Sequence, residues 1–306
     1  MKLDFLSRLT VTGRCDLLST FRMTIGWFFL PALAPLPTAE GEIQARRILQ
    51  LAGVQGGLIV HVGCDRGRLT AELRRSDRYV VHGLDSDRDD IVLARQHIRL
   101  HKLSGSVSVA HWTGGSLPYV DNLVNLLVIS KSTKVDRKEA MRVLAPLGVA
   151  CVEQPDGSWK KLAKHWPNDI DDWPMALYEA GGNAVSKDLK AGPPKGLQWT
   201  ADPKWTRHHE SMSSFHAMVS AGGRIFFIND EGPQVSLFLP PAWQLVCRDA
   251  FNGKELWRKP LGKWVSPLMN LFRFLFSFLR KCWISRGMSS LLCRSAGTSI
   301  WTTLIL

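Results

Sequence analysis

The sequence predicts an α/β protein: a mostly parallel sheet in the first half of the chain, then a smaller antiparallel β segment. Three observations carry this. Short apolar runs recur at 58–62, 79–84, 107–110, 123–129 and 149–153, separated by helix-forming text, the alternation expected of parallel strands joined by helical crossovers. The first run stops at Gly63, and Gly67 follows just before the helix formers Leu69, Ala71, Glu72 and Leu73. After Asp156 tryptophans and turn dipeptides take over, and the later apolar runs are joined by Gly222-Gly223 and Asn252-Gly253, which read as hairpin turns.

Taken in order, residues 1–22 carry mixed charge and no periodic pattern. From Met23 a short apolar run leads to small residues at Ala34 and Ala39, the outline of a candidate signal peptide over 23–39 within an N-terminal segment 1–40. Residues 41–52 form an amphipathic helix, with Ile43, Ile48, Leu49 and Leu51 available for one face and Gly53 ending it. The strand 58–62 is rich in Ile and Val, as a strand buried on both faces should be. On it His61 reads as a core or crevice residue. Its glycine turn leads into a helix at 68–75. The second strand closes on Asp85, a helix spans 90–100, and strands three and four follow at 107–110 and 123–129. A helix at 137–144 and the turn Pro146-Leu147-Gly148 precede the fifth strand. Residues 41–155 thus form the parallel α/β domain. Residues 156–195 read as a Trp-rich linker, 196–262 as the antiparallel segment, and 263–306 as a basic, apolar tail.

With 306 residues, 45% apolar content and twelve tryptophans the chain can build a large core. Its net charge of +12 is scattered as single Lys and Arg residues or sits in the tail. No basic stripe of the kind nucleic acid needs is present in the text, so nucleic acid is not an expected partner. The six cysteines contain no CxxC pair, which argues against a structural zinc site and a dense disulfide framework. Cys64 and Cys151 fall in or beside buried strands and read as small hydrophobes. Arg207, His208, His209, Glu210 and His216 form the remaining polar group. Adjacent residues of a strand face opposite ways, so this group reads as an exposed loop and no metal is expected.

The residues around the glycine turn resemble the class I methyltransferases that use S-adenosylmethionine (SAM), over about 41–153. Gly63 and Gly67 match the first family motif in position. Asp85 matches the acid that binds both ribose hydroxyls. Leu117, Pro118 and Tyr119 ahead of the fourth strand, and Arg142 to Gly148 ahead of the fifth, match the family's later segments. The resemblance implies a Rossmann-like sheet, SAM as cofactor, and a binding site made of Gly63, Cys64, Asp65, Gly67, Asp85, Ser86, Trp112 and Thr113. No catalytic residue is implied. The middle glycine of the family pattern is replaced by Asp65, which places a side chain and a negative charge near the expected position of the SAM carboxylate. Arg66 is the candidate to offset that charge. Asn125 stands where the family has an aspartate. Ser130-Lys131-Ser132 after the fourth strand lacks the Asn/Asp-Pro-Pro-aromatic run of nucleobase amino-methyltransferases, and no cysteine follows a proline as cytosine-C5 methylation requires.

The second region resembles a quinoprotein-type (PQQ-like) β-propeller repeat, through Leu245 to Trp257 with the Asp249-Ala250 turn, Gly253-Lys254 and Trp257. The text covers about one blade. A propeller has typically four to eight, so no central quinone site and no bound PQQ are expected. The tail, with Leu268, Phe272, Phe274, Phe276 and Phe278 among Arg273, Arg280 and Lys281, is read as sequence outside the native packing; its other reading is a membrane-surface helix. Two functions follow. The first is a SAM-dependent methyltransferase-like protein, active or degenerate, of unassigned acceptor (small molecule or protein), cytoplasmic if active. The alternative is a non-enzymatic envelope protein with a ligand-free Rossmann-like domain and a propeller-type interaction region, exported if 23–39 is a leader. A dinucleotide-dependent oxidoreductase ranks last, because Gly63 and Gly67 do not fit the GxGxxG spacing.

Overall fold

The structure, a computed structural model, describes residues 39–190, 192–193, 196–202, 214–235 and 239–262. The candidate leader (apart from Ala39), the Arg207–Glu210 group, the His216 side chain and the tail from 263 lie outside the described residues.

The described chain begins with α1 (Ala39–Ala52) and β1 (Gly57–Val62), followed by α2 (Arg68–Glu72), β2 (Tyr79–Asp85), α3 (Arg88–Leu100) and β3 (Val107–His111). Next come β4 (Val124–Ile129), α4 (Arg137–Val143), β5 (Leu144–Glu153) and β6 (Trp159–Ala163). The six strands make one sheet in the order β3-β2-β1-β4-β5-β6. The first five run parallel and β6 is antiparallel to β5. This is a Rossmann-like arrangement in which the strand order reverses between β1 and β4, so a crevice opens at their carboxyl ends.

Alternation along the strands divides the core in two. Ile59, Val81, Leu126 and Val128 meet Ile48 of α1, Leu73, and Ile91, Ala94 and Ile98 of α3 on one face. Val60, Val62, Leu84, Leu127 and Ile129 meet Trp112, Leu117 and the α4 residues Ala140 and Val143 on the other. Each fully buried Val, Leu or Ile contributes about 1.5–3 kcal/mol, so the nearly continuous apolar text of β1 and β4 supplies much of the stability. On α1 the buried set is Ala45, Ile48 and Ala52, at helical spacing. Ile43 and Leu51 are exposed instead; Ile43 lies five residues from Ile48 and therefore on the far side of the helix. Gly53, with φ of 73° and its amide bonded to Leu49 O at 2.9 Å, closes α1 as expected.

Several boundaries differ from the sequence reading. Pro146-Leu147-Gly148 is part of β5, which starts directly after α4. The register jumps from Val124↔Leu144 to Leu126↔Val149, so Ala145 to Gly148 bulge out of the ladder. A Cβ on Gly148 would lie 2.7 Å from Ala145 O and 2.9 Å from Val124 O, which leaves room for glycine alone. The stretch expected to be linker from 156 first returns as β6. Its residues Trp159, Lys160 and Lys161 resemble loop text because β6 is an edge strand with only one sheet neighbour. Lys161 Nζ caps α1 at Ala52 O (3.1 Å), and Lys164 Nζ caps α4 at Met141 O and Leu144 O (both 2.7 Å).

The second sheet contains β7 (Phe215–Ala221), β8 (Arg224–Asp230), β9 (Trp243–Asp249) and β10 (Glu255–Pro260), all antiparallel in the order β10-β9-β8-β7. It is an open meander. Gly222 and Gly223, both at positive φ, make the two-residue β7–β8 turn. The β9–β10 turn is longer than its Asn252-Gly253 pair suggests. Asp249 Oδ1 accepts from the amides of Phe251 (2.9 Å) and Asn252 (3.0 Å), and Trp199 lies across Gly253, where a Cβ would come within 2.2 Å of the indole.

Both sheets belong to one compact unit that begins at Ala39. They meet through Asn125 of β4 and the β9–β10 turn. Asn125 Nδ2 donates to Asp249 Oδ2 at 2.7 Å, Asn252 Nδ2 donates to Asn125 Oδ1 at 2.6 Å, and Leu58 N donates to the same oxygen at 2.8 Å. Asn125 sits at the amino-terminal end of β4, opposite the crevice. Its polar side chain in an otherwise apolar strand serves this contact between the sheets.

Candidate functional site

The crevice at the carboxyl ends of β1, β2 and β4 brings together Gly63, Cys64, Asp65, Asp85 and the β4 exit loop, Ser130 to Thr133. Gly63 leaves β1 with φ of 75°, its amide bonded to Leu84 O at 2.9 Å. A Cβ there would lie 2.6 Å from Thr133 Oγ1 and 2.9 Å from Ser132 Oγ, so this glycine lets the β4 exit loop close on the β1 turn. Gly67, the other motif glycine, has a different task. A Cβ on it would be 2.8 Å from the Ala94 Cβ, so its absence lets the turn into α2 pack against α3.

Asp85 is nearly buried and organises the turn. Its Oδ2 accepts from Asp65 N at 2.8 Å and its Oδ1 from Asp87 N at 3.0 Å. A carboxylate has about four acceptor positions on its two oxygens, so each oxygen keeps one for a ligand. Asp65 is exposed, at φ of 43°, a conformation Asp tolerates better than most residues. Its carboxyl is raised above the ordinary range, first by burial and then by Asp85, Asp90 and Glu153. The sequence made Arg66 the counter-charge for Asp65, but Arg66 Nε instead lies 3.6 Å from Asp90 Oδ1.

The Cys64 thiol is buried beside Gly83 and pushed up to about 12 by burial, then by Asp85 and Asp65, which favours the thiol over the thiolate. Trp112 donates its backbone amide to Asp85 O at 2.7 Å and its indole Nε1 to Ser116 O at 3.1 Å. The ring packs in the second core, at the end of β3 beside Asp85. Thr113 is exposed on the loop after β3, and Ser86 is exposed with its carbonyl accepting from His111 Nε2 at 3.1 Å.

The sequence alone does not assign the residues that close the crevice from β4 to the site. His61 lies fully buried under the glycine turn, with Nδ1 2.8 Å from Thr70 Oγ1 on α2 and Nε2 3.0 Å from Ser130 Oγ. It therefore links β1, α2 and the β4 exit. Burial holds it down to about 4, against an opposing effect of Asp85, so it is neutral at physiological pH. Lys131 N donates to Glu153 Oε2 at 3.1 Å, fastening the loop to the end of β5. The Ser130-Lys131-Ser132-Thr133 text directly after the fourth strand was the available signal, since the residues after β4 border the switch point.

No family model matches this sequence. No curated protein sequence matches it either. Among solved structures, the chain is similar to a Methanococcus maripaludis protein assigned to the SAM-dependent methyltransferases, at 22% identity over 38% of this chain and 56% of that one (TM-score 0.34). It is also similar to a geranyl diphosphate C-methyltransferase from Streptomyces coelicolor in complex with S-adenosyl-L-homocysteine, at 20% identity over 36% and 44% (TM-score 0.34). A third is a SAM-dependent methyltransferase from Aquifex aeolicus, at 17% identity over 38% and 66% (TM-score 0.34). The chain spans between about half and two thirds of the length of these proteins. The strand order of β1–β6, rather than these likenesses, carries the fold assignment.

Proposed function

We propose that the crevice binds SAM and that the chain is a methyltransferase-like protein of unassigned acceptor. The observation that carries this is Asp85: a carboxylate at the end of β2, fixed by the amides of Asp65 and Asp87, with an acceptor position left on each oxygen for a cis-diol. Gly63 and the β1 turn would lie along the methionine portion, and Asp65 would lie nearest its charged end. Bound there, SAM supplies an electrophilic methyl group. The chain's own part is to orient the nucleoside through Asp85 and to hold the crevice walls through His61 and Ser130, since alignment of the reacting atoms contributes much of the rate in such transfers. Equilibrium dialysis of the full chain against labelled SAM tests the reading. Saturable one-to-one uptake supports it, and uptake no greater than for the Asp85→Ala variant sinks it.

A second reading is favoured by Ser132 and Thr133, which stand directly against Gly63. In it the crevice is closed, the Rossmann-like domain is ligand-free, and β7–β10 act as an interaction surface corresponding to one PQQ-like blade. The meander order of β7–β10 and the Asp249-to-Lys254 turn support the blade comparison.

A further inference from the structure

We propose that His97 and His101 form a bidentate site for a late first-row divalent cation of the nickel, copper and zinc class, at the carboxyl end of α3. The two residues are four apart, so they lie on one helix face a turn apart. Their ring centroids are 4.4 Å apart with the rings tilted by 56°. Among the described residues neither imidazole forms a hydrogen bond, whereas the rings of His61, His82 and His111 are engaged with Thr70 and Ser130, with Tyr119, and with the Ser86 carbonyl. The pair is held in place from beneath: Ala94 and Ile98 are buried against the sheet, and the His101 amide bonds back to His97 O at 3.1 Å. The carboxyl end of a helix carries partial negative charge that favours a cation.

Imidazole nitrogens suit zinc, copper and nickel, at about 2.0–2.1 Å for zinc. Magnesium and calcium prefer oxygen donors, and Arg68, close enough to act electrostatically on His97, disfavours cations held by charge alone. No third His, Cys, Asp or Glu completes a cage among the described residues. Water therefore fills the other coordination positions, and the site is exchangeable rather than structural.

Hydrogen exchange on the full chain, titrated with zinc chloride, tests this at residue level. Zinc bridging the pair should slow exchange of the amides at 97–102 about tenfold, while magnesium at the same concentration should not. His97→Ala and His101→Ala should each remove the protection, and the exposed His165→Ala should keep it. Protection that is absent, or that survives in both His97→Ala and His101→Ala, overturns the proposal.

Discussion

Asn125 donates to the carboxylate of Asp249 at 2.7 Å across a sequence separation of 124 residues, and joins the parallel sheet to the antiparallel one. The contact is closed on all sides. Asn125 Oδ1 accepts from Leu58 N and from Asn252 Nδ2, and a Cβ on Gly57 would lie 1.9 Å from that oxygen. Burial raises the Asp249 carboxyl, with the Asn125 bond acting in the opposite direction. Removing Asn125 would leave a buried carboxylate and a backbone amide short of a partner, at a cost of about 1–3 kcal/mol. Asn125→Ala should therefore lower the melting temperature by several degrees. Because the sheets share this contact, circular dichroism and tryptophan fluorescence should still report a single transition in the parent. Two separate transitions in the parent would show that the sheets fold independently.

Asp65 occupies the middle position of the glycine turn with a carboxylate that has no Lys or Arg within ion-pair distance among the described residues, Arg66 having turned to Asp90. Like charges at short range in a partly desolvated site oppose each other by a kcal/mol or more. Asp65→Gly removes that charge and relieves a positive φ, and SAM should bind about tenfold more tightly to the variant. The acidic surroundings should also make the parent prefer SAM, with its sulfonium, over the uncharged thioether of S-adenosyl-L-homocysteine, and Asp65→Asn should narrow that preference. Competition titrations measure both. Unchanged affinity in Asp65→Gly would place the side chain clear of the ligand.

His61 gives the domain a pH signature. Its folded-state value of about 4 lies below the ordinary 6.5 because the ring is buried. Between those values the unfolded chain takes up a proton that the folded chain refuses, so stability falls as pH drops through this window and the loss levels off below about 4. The full difference corresponds to about 3 kcal/mol. Urea unfolding at pH 7.5 and pH 5 should show this decline in the parent. His61→Gln, which does not titrate, should show a smaller one. An equal decline in both would assign the effect to other groups.

The centre of the first sheet is legible in the text because β1 and β4 are buried on both faces, and apolar runs ending at Gly63 and Asp85 fit little except buried parallel strands. Asn125 is not legible, because its partner is fixed only when the β9–β10 turn arrives against β4. β6 is hidden by the polar composition of an edge strand. Within the site, the turn and Asp85 follow from local sequence, since both lie at strand ends. The approach of Ser132 and Thr133 to Gly63 depends on β4 lying beside β1, a consequence of strand order that no local pattern records.

We propose that Asp85 holds a nucleoside by its ribose hydroxyls. Asp85 also fixes the amides of Asp65 and Asp87, so Asp85→Ala should lower the melting temperature slightly as well as remove binding, and Asp85→Asn, which keeps one oxygen acceptor, separates the two effects. Calorimetric titration of SAM into the full-length parent and both variants is the direct measurement. The parent should bind SAM saturably, folded Asp85→Asn at least tenfold more weakly, and Asp85→Ala not at all. SAM bound as tightly by Asp85→Asn and Asp85→Ala as by the parent, or not bound by the parent at all, would contradict it.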